Sequence, residues 1–475
     1  MSKVKIPIIV PDDKQFDSYD ASEYTKRQIN GVMTLGADQR GEKTLIWENR
    51  PGLSEWIDLG EAAPVDGLYW WVRQQTLVAT CNGKTFFIDI NDTVNEKTGT
   101  ATMLAGTIPS YTDVNGTKLY QASSGKIGGY TAGAANDGAF LTDTEAPTNV
   151  THLATLNKVM VALSANSQQI DWAEAGLPED WGGDFATAET MTDLAKGLYA
   201  TNSFLVIPGQ ASIELWRDNG TTFVRELQGY IQAGVIATDS FTIINDEYFW
   251  LTQNREVVRA KGKTKNVISK PYAKMLKEFT TVDDAAGSFV QVAGKNLYLL
   301  DFPTEGYTLV YDVDLNRWFE WGMYSTDYTG FIGRSFANCT TRNIMAVGSK
   351  ESTGKIYKLS QDNLTDYGNV IRGMVRTDEL DHSDPRRRKF CNSITLRFKK
   401  SEVSGGAAST VQIKYRDDGK KTWSSPITAT VEVSSTSEQT VQVRNLGSYY
   451  TRQWEFSFGT STDVVLMDVV EDVHG

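Results

Sequence analysis

Between Gly67 and Leu359 the chain repeats one pattern: a short apolar run, a tight turn, then another run in which residues alternate in character. Leu68 to Val72, Leu77 to Cys81 and Thr85 to Ile90 read as three strands of an antiparallel meander, with Asn82-Gly83 supplying the positive φ angles of a two-residue hairpin turn. Similar strand starts recur near Lys118, Lys158, Ser203, Glu247, Asn296 and Asn343, roughly every 45 residues, the period of four-stranded propeller blades. Hairpins are predicted for Val159 to Leu163 with Gln169 to Ala173, Phe204 to Ile207 with Ser212 to Trp216, and Tyr248 to Leu251 with Glu256 to Ala260. Leu309-Val310-Tyr311, the Asp312 to Asn316 turn and Arg317-Trp318-Phe319-Glu320-Trp321 resemble a kelch-type blade, whose aromatic rings fill the wedge beside the next blade. One helix breaks the pattern: Tyr272, Met275, Leu276 and Phe279 form a helical stripe, with Pro271 in its first turn, placed on the rim of the ring.

After Asp366 the character changes. Arg376 to Arg388 is charged and holds Asp384-Pro385, the signature of a connector, and strands return from Ser393: Ile394 to Phe398, Val411 to Tyr415, Ile427 to Val433, Thr440 to Val443, Gln453 to Phe458 and Val464 to Val470. The expectation is an all-β chain, a β-propeller of six or seven blades followed by a C-terminal β-sandwich. Its parts are 1–66, an N-terminal segment with strands leading into the ring; 67–366, the propeller; 367–392, a linker; and 393–475, the sandwich.

Composition narrows the function. The net charge of −12 repels phosphate, which disfavours broad coating of nucleic acid, although a conduit wall that DNA must slide past would still tolerate it. Cys81, Cys339 and Cys391 lack zinc or redox spacing and read as buried thiols, and the apolar stretch Ile6 to Val10 is too short for a signal core or a membrane span, so cytoplasmic synthesis is expected. His152, His382 and His474 are the only histidines, and neither a Gly-x-Ser-x-Gly elbow nor a metalloprotease histidine pair is present, so no catalytic, cofactor or metal residues are assigned.

Asp312, Asp314 and Asn316 imitate the start of a calcium loop, yet Arg317 and Met323 occupy the positions of its glycine and closing carboxylate, so a hairpin turn is predicted. Tyr415 to Trp423 is similar to a sialidase Asp-box hairpin with one extra residue, again a structural turn. Arg386, Arg387, Arg388 and Lys389 form the dense basic run and are the candidate partner contact, set against the reading as a solvated linker.

Three regions carry a family resemblance. Gln28 to Val32 followed by Leu45 to Leu53, with its Pro51-Gly52-Leu53 turn, is similar to the opening of the packaged-DNA stabilisation (tail-hub or nozzle) proteins of short-tailed bacteriophages, although Gly31-Val32 replaces the usual apolar and aromatic pair. Gly197 to Trp216 and Leu299 to Trp321 resemble the family's middle, and Arg387 to Val470, with Tyr450 to Phe456, its C-terminal sandwich. The resemblance implies a structural virion protein without enzymatic activity. It implies a homo-oligomeric ring, a hexamer, in the tail, assembled in the host cytoplasm. Its partners would be the head-tail adaptor below the portal, a tail needle or plug, and tailspikes or fibres. Double-stranded DNA would pass through the lumen without specific binding, and no membrane insertion is implied. Two rivals share the propeller architecture: a glycan-processing hydrolase acting through paired carboxylates, and a carbohydrate-binding module with aromatics on one open face.

Overall fold

In a propeller, a strand within a blade is covered on both faces by neighbouring blades, so it reads as an unbroken apolar run although its side chains still alternate. Leu297 and Leu299 point to one side and Tyr298 and Leu300 to the other, and all four are buried in two different apolar clusters. The computed structural model describes residues 2–7, 27–37, 43–133, 137–188, 193–400, 409–431, 438–459 and 464–474.

Seven four-stranded antiparallel units follow one another around the ring. Blade 1 holds Val65–Trp71, Thr76–Cys81, Lys84–Ile88 and Val94–Lys97. Blades 2 to 6 begin at Ser110, Val150, Tyr199, Thr242 and Ala286. The sequence's six strand starts near Lys118 to Asn343 are the second strands of blades 2 to 7, and the first meander supplies blade 1. In its hairpin Asn82 and Gly83 have φ of 53° and 75°, as predicted from the dipeptide.

Blade 7 is built from Gly333–Cys339, Ile344–Ser349 and Lys355–Ser360, and its outer strand is Gly52–Asp58 from the N-terminal part of the chain. The ring is therefore closed by hydrogen bonds between distant segments. Among the described residues, seven apolar clusters fill the seven wedges between blades; that of blades 7 and 1 joins Ile57, Ala346 and Ile356 to Leu68, Trp70 and Leu77. Trp318 fills the wedge between blades 5 and 6 and donates from Nε1 to the Ile268 carbonyl at 2.7 Å, while Trp321 fills the next wedge. Each such burial is worth about 2–3 kcal/mol. The predicted helix spans Ala273–Glu278 in the connection between blades 5 and 6, with Tyr272, Leu276 and Phe279 buried against them.

The sandwich pairs two sheets. One orders Gly31–Ala37, Lys43–Asn49, Val464–His474, Lys389–Lys400 and Glu438–Arg444, with Ser2–Ile6 added to Val464–His474. The other orders Arg27–Ile29, Arg372–Arg376, Arg452–Gly459, Ser409–Asp417 and Ile427–Val431, and joins blade 6 where Ile29 pairs in parallel with Glu320. One cluster runs from Val310, Phe319 and Leu359 of the ring into Trp47, Leu396, Trp454 and Phe458 of the sandwich.

The expected boundaries need correction here. Residues 1–66 do not only lead into the ring: they supply strands to the sandwich and the outer strand of blade 7. Residues 367–392 are not a free linker, because Arg372–Arg376 lies inside a sheet and Lys389 opens a twelve-residue strand. Polar charged sequence misled the reading there, since Arg376 is paired with Glu455 at 2.7 Å. The expected end of the Ile427 strand at Glu432 and Val433 lies outside the described residues.

Candidate functional site

The inner strands of all seven blades surround a central cavity of about 810 Å3. Tyr69 and Tyr111 stack on its wall with ring centroids 5.4 Å apart, and Tyr199 packs against Phe241 at 4.7 Å and edge-on to His152 at 5.7 Å. Its charged members are Asp113, Asp239 and Arg334. Burial depresses His152 to about 4, so it is neutral at physiological pH, and burial raises Asp239 to about 6 against the pull of Arg334. Arg334 is itself engaged by Asp66 at 3.2 Å and by the Gly106 carbonyl at 2.6 Å.

The basic run divides. Arg386, Arg387 and Arg388 are exposed on the turn before the Lys389–Lys400 strand, and Arg388 Nε donates to Ser448 Oγ at 3.0 Å. Lys389 is buried, its ammonium donating to the carbonyls of Arg387 at 3.0 Å, Tyr450 at 2.8 Å and Asp384. It ties the turn down and is removed from the contact set. Sequence reasoning missed two exposed aromatic residues near the run, Phe390 and Tyr450, at 47% and 44% exposure. Arginine beside exposed aromatic rings is the composition of interface centres.

A second cationic surface also escaped the sequence reading because it is assembled from residues 247–317. A cleft of about 630 Å3 between blades 5 and 6 gathers Arg259, Lys261, Lys270 and Arg317 around one carboxylate, Glu247. Arg259 is held in place by Glu247 and by Asn316 Oδ1, both at 2.7 Å from its guanidinium. One oxygen of the Asp312 carboxylate is likewise engaged by its own turn, Oδ1 accepting from the backbone N–H of Asp314 and Leu315 at 3.0 and 2.9 Å.

The remaining sequence candidates are structural. His382 Nε2 lies 2.9 Å from Tyr449 Oη and 3.1 Å from buried Glu471, His474 stacks on Phe390, and the three cysteines are buried and unpaired. Trp423 of the Asp-box-like hairpin lies beneath Arg376 and Arg416. The family-like Asn30 proves to be a junction: its Oδ1 accepts from Arg50 Nε and the Gly322 N–H, each at 2.8 Å, and its Nδ2 donates to the Arg372 carbonyl at 2.9 Å. The departure at Gly31 has a cause in packing, since a Cβ there would lie 1.9 Å from Trp47 Nε1.

The chain is thus a propeller joined to a sandwich through a shared core, with cationic and aromatic side chains exposed on its surface. Residues 180–364, from the end of blade 3 through the third strand of blade 7, match the family model described as bacteriophage P22 Gp10, beta-propeller. The match supports the resemblance to the phage packaged-DNA stabilisation proteins, and with it a structural component of a phage virion; a family of that kind points away from an enzyme. No curated protein sequence matches the chain. Among solved structures, the WD40 propeller domain of Doa1 is similar at 11% identity and TM-score 0.42, over 66% of this chain and 97% of that one. The virginiamycin B lyase of Staphylococcus aureus gives 12% and 0.43, over 65% and 98%. The extracellular domain of the hybrid two-component system BT4673 of B. thetaiotaomicron gives 11% and 0.44, over 74% and 44%. Likenesses this distant carry no statement about function.

Proposed function

We propose that the chain is the tail-hub, or nozzle, subunit of a short-tailed phage: a homo-hexameric ring that attaches to the head-tail adaptor below the portal, extends the DNA channel and helps retain the packaged genome. The observation that carries this reading is the match of residues 180–364 to the P22 Gp10 propeller. Further partners are a tail needle or plug and tailspikes or fibres.

Geometry places limits on how such a ring would work. The cavity of one propeller, at about 810 Å3, is of small-molecule size and does not admit a duplex on the order of 20 Å across. The lumen is therefore formed between subunits. An acidic chain, with its net charge of −12, lets DNA slide past without sticking. Arg386, Arg387 and Arg388, flanked by Phe390 and Tyr450, provide a subunit or adaptor contact suited to an acidic partner surface.

Native mass spectrometry of the purified protein with the candidate adaptor tests this. The reading predicts a complex holding six copies of the 52.7 kDa chain, weakened at least tenfold by Arg386→Glu with Arg387→Glu at unchanged melting temperature. A chain that stays monomeric with and without the adaptor contradicts it.

A further inference from the structure

We propose that the central cavity of the propeller is a binding site for a planar organic cation, an amidinium or guanidinium, held by the Asp239 carboxylate against the aromatic wall. This stands on the cavity itself and is independent of the hexameric ring. The cavity has the volume of a small-ligand site, and its wall mixes aromatic and apolar side chains with polar ones in about equal measure.

Asp239 sits on the short turn Thr238–Ser240, which enters blade 5, and its side chain is open to the cavity. Among the described residues its carboxylate makes no hydrogen bond or ion pair. The cation it feels, Arg334, already bonds to Asp66 and the Gly106 carbonyl. Asp239 is exposed within the open cavity, and the protein packed around that cavity lifts its pKa to about 6. A planar cation would donate to the carboxylate's two oxygens in a bidentate pair and present its face to Tyr199, two favourable terms from one group.

The groups facing Asp239 across the cavity are His152, Tyr69, Tyr111, Tyr199, Asp113, Arg334 and, behind Arg334, Asp66; Asp113 is itself engaged by Arg73 at 3.4 Å and by Trp71 Nε1 at 2.9 Å. Burial holds His152 near 4 and raises all three tyrosines, so none of these four gains or loses charge between pH 5 and 8. Burial also raises Asp66, against a bond from the Gly106 N–H and the charge of Arg334.

Calorimetric titration of the full chain with benzamidine tests the proposal, with neutral benzamide as its isostere and N-acetylarginine amide as the side-chain form of the same chemistry. At pH 8 benzamidinium is expected to bind at least tenfold more tightly than benzamide. Asp239→Asn, whose fold is checked by its melting curve, abolishes that preference. In the wild type the preference falls about tenfold from pH 8 to pH 5 as Asp239 takes up a proton. Tighter binding of N-acetylarginine amide than of benzamidinium supports the site and identifies a partner's arginine as its source. Equal binding of benzamide and benzamidinium to the wild type overturns the proposal, as does a preference that survives Asp239→Asn or pH 5.

Discussion

Single residues join the parts of this chain more than composition suggests. Arg50 is fully buried, pairs with Asp366 at 2.5 Å, donates to Asn30 and lies 4.8 Å from the Phe331 ring. It thus ties the N-terminal segment to blades 6 and 7 and to the exit of the ring. Replacing it by Met leaves Asp366 buried without a counter-charge, and a loss of about 3–5 kcal/mol is expected from urea unfolding. Glu471 supports a pH prediction. Burial would raise its pKa, but hydrogen bonds from His382 and Tyr449 outweigh burial and hold it below the ordinary carboxylate value. A carboxylate depressed in the folded state stabilises above its unfolded pKa, and that stability is lost as pH falls through the folded value. Glu471→Gln is therefore less stable than wild type at pH 7, and urea midpoints of the two should converge as the pH drops below about 4. Neither junction was legible in the sequence. Arg50 and Asp366 are 316 positions apart, and no local pattern links them.

Elements were legible where they obey a local rule. The hairpins of blades 3, 4 and 5 lie within about two residues of expectation because turn chemistry and apolar runs mark their ends. The outer strand of blade 7 was not, because Gly52–Asp58 finds its partner Lys355–Ser360 only in three dimensions. Close approach makes that strand sensitive: a Cβ on Gly52 would lie 2.4 Å from the Asn363 carbonyl oxygen and 2.5 Å from that of Thr365. Gly52→Val is expected to lower the melting temperature by several degrees, equivalent to about 1–3 kcal/mol, because backbone atoms on both sides must move. Thermal denaturation followed by tryptophan fluorescence checks this, with an unchanged midpoint as the contrary result.

At the scale of the molecule, ring and sandwich share one apolar core, reaching from Phe319 and Leu359 to Trp454 and Phe456. The sequence suggested separate domains because charge is concentrated around Arg376 to Arg388, where the structure uses it in ion pairs and turns. Calorimetry is expected to show the last two blades and the sandwich unfolding in one transition. A fragment of residues 367–475 alone should not fold, since it lacks Arg27–Ile29, Gly31–Ala37 and Lys43–Asn49. The candidate surfaces were half visible: the arginine run by its density, the central cavity and the cleft of blades 5 and 6 not at all, because each gathers residues from strands far apart in the chain.

The most direct test of the central claim, a structural subunit of the phage tail, is labelling of this chain in intact virions viewed by electron microscopy. The account predicts label in six-fold array between the head and the distal tip of the tail. Virions that carry no label there, from a phage whose infectivity does not need the chain, would contradict it.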